Sequence, residues 1–443
     1  MATPRVINVS EIIDRQAVSW FQIRVIVLCG LVATLDGFDT QSIAFVAALI
    51  AKELGMKIVE FGPIFGSGLV GLAIGALVLG PWADRWGRRP LIIMSTCAFG
   101  VFALLTVRSD SFASLFTYRL FTGLGLGAAM PNIIALTSEY APNRIRAFLV
   151  TVMFVGFPLG AVVGGIISSM MIPLWGWQSV FYLGGGVPIL LTLILIPALP
   201  ESIRFMVTRG ADPEKIAATL RHIAPDLSYS PGDRFEIAEK KLTGLSVKHL
   251  FTEGRALGTL LLWVPFFMNL LLLFFMYNWL PPVLQEAGLP ITRAIIATVV
   301  FNLGGVIGAL IQGRLSDRFG HYVVLAVAYA FGAVFVGVIG FLGFSIPLIM
   351  AAVFMAGFCT IGAQFAANAL AAIFYPTSVR STGVGWALGI GRIGSILGPV
   401  IGGILLGMNV GLHQLFLIAA IPSVFATVAI VLLSRVAPLA KTS

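Results

Sequence analysis

Twelve apolar runs, each close to the length of a membrane-crossing helix, constrain this chain more than any other feature. They fall at roughly 20–50, 61–82, 91–108, 112–140, 147–172, 177–198, 256–281, 290–312, 321–343, 346–370, 382–407 and 411–434. A helix rises about 1.5 Å per residue, so about 20 apolar residues cross a hydrocarbon layer about 30 Å thick. Only 11% of the 443 residues are charged, against about 25% in soluble domains. A transmembrane barrel would need alternating segments of about ten residues, and these are absent. The expected fold is an all-α polytopic membrane protein of twelve transmembrane helices. Runs one and four are over-long, so their ends are expected to protrude or tilt.

One long polar segment, about 199–255, separates runs six and seven. It contains "ADPEKIAATLRHIAPD", where Asp212 suits a helix N-cap and Pro213 the first helical position, so a short amphipathic surface helix is expected there. Residues 1–19 are mixed and polar, and the first run is long enough to span, so the N-terminus is not read as a cleavable signal. Cys29, Cys97 and Cys359 each sit inside apolar runs; an odd count at wide spacing argues for packing rather than metal or disulfide chemistry.

The 28 lysines and arginines are unevenly placed. Only Lys52, Lys57, Arg108 and Arg293 fall in one alternate set of connections, and Arg119 and Arg392 fall within runs. All the rest, from Arg5, Arg15 and Arg24 through the nine of the central segment to Arg435 and Lys441, fall in the other set. The positive-inside rule then makes both termini and the central segment cytoplasmic. A net charge of +9 in a soluble chain would point to nucleic acid; here topology accounts for it.

The chain repeats itself. "GPWADRWGRRP" (80–90) follows run two and "GRLSDRFGHYV" (313–323) follows run eight, with Asp84 and Asp317 offset by 233. Pro142 and Arg146 match Pro376 and Arg380 at an offset of 234. Two matches at nearly one offset give two pseudo-symmetric six-helix halves, 1–198 and 256–443, joined by a linker at 199–255. Parallel halves of this kind enclose a central cavity that opens to either side of a membrane.

These residues resemble the major facilitator superfamily of transporters. "GLAIGALVLGPWADRWGRRP" looks like its signature loop, and "RLFTGLGLGAAMPN" (119–132) is similar to its fourth-helix motif. "SEYAPNRIRA" (138–147) and "PESIRF" (200–205) look like helix ends in its organic-solute branches. Within run one, "LDGFDTQ" resembles the aromatic acid:proton symporter family, which carries benzoates, hydroxybenzoates and hydroxyphenylpropionates. The resemblance implies the major facilitator fold and a secondary active transporter in a bacterial inner (plasma) membrane. It also implies import of an aromatic carboxylate by proton symport, the proton being the coupling ion and no cofactor being needed.

Depth and charge identify candidate site residues. Asp36 lies twelve residues past Arg24, about 18 Å in, and Asp39 lies about one turn further. At i and i+3 the two acids share a helix face, and that face should avoid lipid. Burial and like-charge proximity favour uptake of a proton by such a pair, which titrates as a unit. The competing role is a structural ion pair or a hydrogen bond to a broken helix. Gly37 between them permits close approach of a helix or a ligand. Arg119, about 10–13 Å below the outer surface, is expected to pair with the acids; the fourth-helix resemblance links it to proton movement, and bracing of helices one and four is the alternative. Arg392 is twelve residues past Arg380, again about 18 Å deep, and a buried guanidinium there suits a substrate carboxylate held bidentately. A fixed pairing with a protein acid or carbonyls is its alternative.

Phe38, Tyr277 and Trp386 are the foremost candidates for ring contacts, with Phe274, Phe275, Phe354 and Phe358 behind them, while Trp279 is expected in the interfacial belt. Asn132, Asn269, Asn302, Gln312, Gln364 and Asn368 serve either to orient a hydroxyl or to join helices. Glu139, about 30 Å from Arg119 along its helix, belongs to an inner-surface ion-pair latch with Asp84, Arg85, Arg88, Arg89, Arg146, Glu201 and Arg204. Asp317, Arg318 and His321 form its weaker counterpart. Such a latch shifts the balance between two facings.

Other readings keep the fold and change the traffic: a proton-coupled exporter, since "GFPLGAVVGG" (156–165) faintly resembles a drug-antiporter motif, or an importer of a sugar or aliphatic acid. An enzyme or channel is disfavoured, because no pore-loop signature and no His/Glu metal cluster lies within a run. A nucleotide-driven pump lacks its Gly-x4-Gly-Lys-Ser/Thr loop.

Overall fold

The computed structural model describes residues 6–225, 233–237, 247–252, 254–343, 345–376 and 379–437. Arg5, Lys240, Lys241 and Lys441 of the charge argument lie outside the described residues. The described residues form twelve helices long and apolar enough to cross a membrane. Spans 1–6 are Trp20–Leu54, Ile58–Trp86, Arg88–Thr106, Phe112–Tyr140, Asn143–Trp175 and Gln178–Ala198. Spans 7–12 are Ala256–Glu286, Ile291–Phe319, His321–Ile339, Ile346–Phe374, Arg380–Gly407 and Leu412–Val436.

The internal repeat extends from the loops into the helix crossings. Gly71 of span 2 meets span 4 so closely that an added methyl group would lie 2.0 Å from the Leu120 carbonyl oxygen. Its repeat, Gly304 of span 8, meets span 10 with 2.1 Å to the Phe354 carbonyl oxygen. Gly75 on Leu124 and Gly308 on Phe358 repeat the same contact one turn on, at 2.2 and 2.3 Å. Small residues let backbones touch where lipid offers no hydrophobic drive for association. Arg146 and Arg380 repeat as well: each donates its Nε to the carbonyl five residues back, Ala141 and Tyr375, at 3.4 Å.

Compactness divides the chain differently from the repeat. One unit comprises Met1–Thr40, Val70–Gly160 and Val180–Lys241; the other comprises Gln41–Leu69, Ala161–Ser179 and Leu242–Ser443. The cut passes through spans 1, 2 and 5. In the second unit the far ends of these spans pack on spans 7, 8 and 11. Phe65 meets Trp279 edge-on at 5.2 Å, and a methyl on Gly62 would lie 3.1 Å from the Gly403 Cα. Trp279 is therefore not an interfacial residue: it is fully buried, and its indole N–H donates to the Pro399 carbonyl at 2.8 Å.

In the first unit, the linker helix forms at Pro213–Arg221, with the Asp212 carboxylate accepting from the Glu214 N–H at 3.0 Å. Ile216 and Leu220 join Leu199, Ile203, Val9 and Ile13 in one apolar cluster. Val9 and Ile13 belong to a short helix, Val9–Arg15, capped by Asn8. The strand Val6–Asn8 before it pairs in parallel with Arg234–Glu236. The sequence gives little sign of this pairing, since neither strand has more than three residues.

Candidate transport site

Asp39 of span 1 and Arg119 of span 4 form a bidentate ion pair. Arg119 Nη2 donates to Asp39 Oδ2 at 2.9 Å and Nη1 to Oδ1 at 3.2 Å; Nη2 also reaches the Asp39 carbonyl at 3.3 Å. Their side chains are 5% and 0% exposed, arginine first. Charge-assisted bonds in this fork geometry are strong and directional. Removing one partner from such a pair costs about 3–5 kcal/mol, because the other charge is left buried.

Asp36, one turn earlier, is also buried, and its Oδ1 accepts from the Thr40 hydroxyl at 3.2 Å. Gly37 and Phe38 explain how the acids face inward. A methyl on Gly37 would lie 1.9 Å from the Phe157 carbonyl oxygen of span 5, so the close approach is helix on helix. Gly160 meets the Thr34 carbonyl in the same crossing, at 1.8 Å. The "GFPLGAVVGG" stretch thus serves this contact. Phe38 is buried, and its ring is the nearest group a methyl on Gly184 of span 6 would meet, at 3.2 Å. Phe38 thus packs where spans 1 and 6 approach.

Arg392 is half-buried on span 11. Gly391 and Gly394 on either side of it seat span 11 on span 7: added methyls would lie 3.1 Å from the Phe266 and 2.2 Å from the Phe267 carbonyl oxygens. Tyr277 is buried edge-on between Phe274 and Phe301, at 5.6 and 5.7 Å. Trp386 is exposed and stacks on Trp263 at 6.0 Å. It begins an exposed apolar stripe continued by Ile393, Leu397 and Ile404. Arg392, half-buried, does not belong to that stripe.

The amides separate by partner. Asn132 donates to the Ala128 carbonyl of its own helix and Gln312 to the Phe358 carbonyl. Asn302 and Gln41 exchange bonds of 3.0 and 3.3 Å, both fully buried, tying span 8 to the far part of span 1. Asn269 donates to Gln364 Oε1 at 2.9 Å and to the Thr360 carbonyl at 3.1 Å. Gln364 in turn donates to Asn368 Oδ1 at 3.3 Å. Gln41 escaped the sequence reading, although it ends the quoted "LDGFDTQ".

Part of the expected latch is joined by contacts around Glu139 and Glu201. Arg88 pairs with Glu139, which also accepts from the Ser202 hydroxyl. Glu201 Oε1 accepts from the main-chain N–H groups of Arg88, Arg89 and Ser202 at 2.9, 3.2 and 2.7 Å. Asp84 is 81% exposed and 3.9 Å from Arg88. It sits on the outward side of a single helical turn, Ala83–Trp86, while Gly87 turns the chain toward Glu201. Arg85, Asp317 and Arg318 are exposed and have no ion pair among the described residues. Arg146 folds back on its own chain. All these partners lie within the first unit, so the network braces spans 3, 4 and 6 to one another. Among the described residues no group of three His, Cys, Asp or Glu could hold a metal ion.

Comparison with known proteins adds to this geometry. The sequence profile of the Major Facilitator Superfamily matches residues 29–363 and 292–443. A gallate transporter of Pseudomonas putida is 40% identical over 425 residues, 96% of this chain and 94% of the relative. A 4-hydroxybenzoate transporter, PcaK, of the same organism is 40% identical over 427 residues, covering 96% and 95%. Among solved structures, a D-xylose-proton symporter superposes with a TM-score of 0.72 over 95% of this chain and 99% of that one, at 16% identity.

Proposed function

The chain belongs to the major facilitator superfamily, among its aromatic acid transporters, and on that premise we propose that it imports a hydroxybenzoate- or phenylpropionate-like carboxylate by proton symport. The observation that carries this reading is the buried Asp39–Arg119 pair, with a second acid, Asp36, one turn away. In this reading the two acids take up and release a proton as a unit. Arg119 holds Asp39 charged in one stage of the cycle, and neutralising an acid frees the guanidinium for the next stage. Buried charge is costly in the apolar interior, so proton and anion travel together because the pair of them crosses with less net charge than the anion alone. Arg392 clamps the substrate carboxylate.

Alternating access between two facings then moves the solute. In this reading the protein works in the bacterial inner membrane with both termini in the cytoplasm, an orientation that the distribution of Lys and Arg supports. The test is uptake of labelled benzoates and phenylpropionates into proteoliposomes with and without an imposed pH gradient. Accumulation is expected only with the gradient, and Asp36→Asn or Asp39→Asn should abolish it while leaving expression intact. Gradient-independent accumulation, or normal coupling in both variants, would overturn the reading.

A further inference from the structure

We infer that Asn269, Gln364 and Asn368 form a ladder that reads a ring hydroxyl of the solute; the inference rests on the functional reading above and deepens it. Asn269 stands 233 residues after Asp36, the offset that relates Gly71 to Gly304 and Thr34 to Phe267. The second half therefore carries a neutral amide where the first carries an acid. Asn269 also lies in the turn of span 7 on which Gly391 and Gly394, the neighbours of Arg392, are seated. Counted from the Arg380, Ala256 and Phe374 ends of their helices, Arg392, Asn269 and Gln364 lie about 18, 20 and 15 Å deep. Arg392 and the amides therefore lie at similar depths along helices of one compact unit.

The ladder has a fixed direction. The Thr360 carbonyl can only accept, so the atom facing it must be the Asn269 amide nitrogen. That nitrogen then requires Gln364 to offer its oxygen, and Gln364 passes its own N–H to Asn368 Oδ1. Two groups are left over at the ends. Asn269 Oδ1 is buried without a hydrogen-bond partner. The Asn368 amide N–H groups have none among the described residues, on a half-buried side chain. One end wants a donor and the other an acceptor. The half-buried Asn368 end is the one a solute can reach: a phenolic oxygen accepts from its N–H, which the bare ring carbon of an unsubstituted benzoate cannot do. A buried amide left unpaired costs enough to make such a site discriminate.

The test is equilibrium binding of two acids differing by one group, benzoate and 4-hydroxybenzoate, to purified protein and to Asn368→Ala and Gln364→Met. Weaker binding of 4-hydroxybenzoate by about five- to tenfold is expected, the worth of one hydrogen bond, with benzoate changed less than about twofold. Benzoate binding in the same preparation certifies that each variant is folded; if one variant loses both acids, the other decides. Parallel shifts of both acids, or no shift, overturn the ladder. If the unaltered protein binds neither acid, the functional reading itself falls.

Discussion

The turn after span 2 and its repeat after span 8 follow the same backbone path, with φ +100° and ψ 156° at Gly87 and φ +88° and ψ 144° at Gly320. Their surroundings differ. A methyl on Gly87 would lie 2.2 Å from Glu201 Oε2, while one on Gly320 would meet nothing within 4 Å. The first turn is held by Glu201 and by the Arg88–Glu139 pair; the second carries exposed Asp317 and Arg318. The positions that repeat Glu139 and Glu201 are Ile373 and Arg435, so the second turn has no carboxylate to hold it. A duplicated backbone does not imply a duplicated clasp: glycine at positive φ suffices for the turn, whereas the clasp needs Glu139 from span 4 and Glu201 from the connection after span 6. The spans show the same contrast. Glycine crossings repeat, while the positions that repeat Asp39 and Arg119 hold Leu272 and Val353.

The comparison is sharpened most by Arg119→Ala. It leaves Asp39 buried and unpaired, so a loss of about 3–5 kcal/mol is expected, read as a lower thermal midpoint together with abolished uptake. No equivalent loss should follow Val353→Ala beyond that of a small cavity. Next come Gly71→Val and Gly304→Val. Both force apart backbones in contact, so each should cost in the upper part of the about 1–3 kcal/mol range of overpacking, and about equally. A large inequality in thermal stability would mean that the crossings are not equivalent.

A finer contrast is Gly320→Ala against Gly87→Ala. Both enter a backbone region nearly reserved for glycine, at about 1–3 kcal/mol, but only Gly87→Ala also displaces Glu201. Equal destabilisation would show that the carboxylate network contributes nothing there. The smallest effect is expected for Asp317→Asn with Arg318→Ala, within about 0.5 kcal/mol as for other exposed charges. A larger drop in thermal stability would restore a latch to the second half.

Much of the architecture was legible in advance because its signals are local. Length and hydropathy mark each span, the Asp-Arg-aromatic-Gly motif marks the repeat, and an N-cap marks the linker helix. Acids at i and i+3 announced a shared face, and Arg119 could be matched to Asp39 by depth. The latch was legible only in part: Glu139 and Arg88 are close partners, Asp84 stands exposed at 3.9 Å from Arg88, and Arg146 folds back on its own chain. The surroundings of Phe38 and Trp386 were not legible, because aromatic identity does not say whether a ring meets a glycine, another tryptophan or the exterior.

What the sequence alone determined is the number of crossings, their duplication and the presence of acids and arginines at mid-depth. Apolar length and charge are counted along the chain and need no partner. Only the tertiary structure decided that Asp39 takes both arms of Arg119, that Asn302 belongs to Gln41 and that Asn269 belongs to Gln364. A hydrogen bond depends on distance and direction across helices, and a shift of one residue in register would hand the same donors to different acceptors.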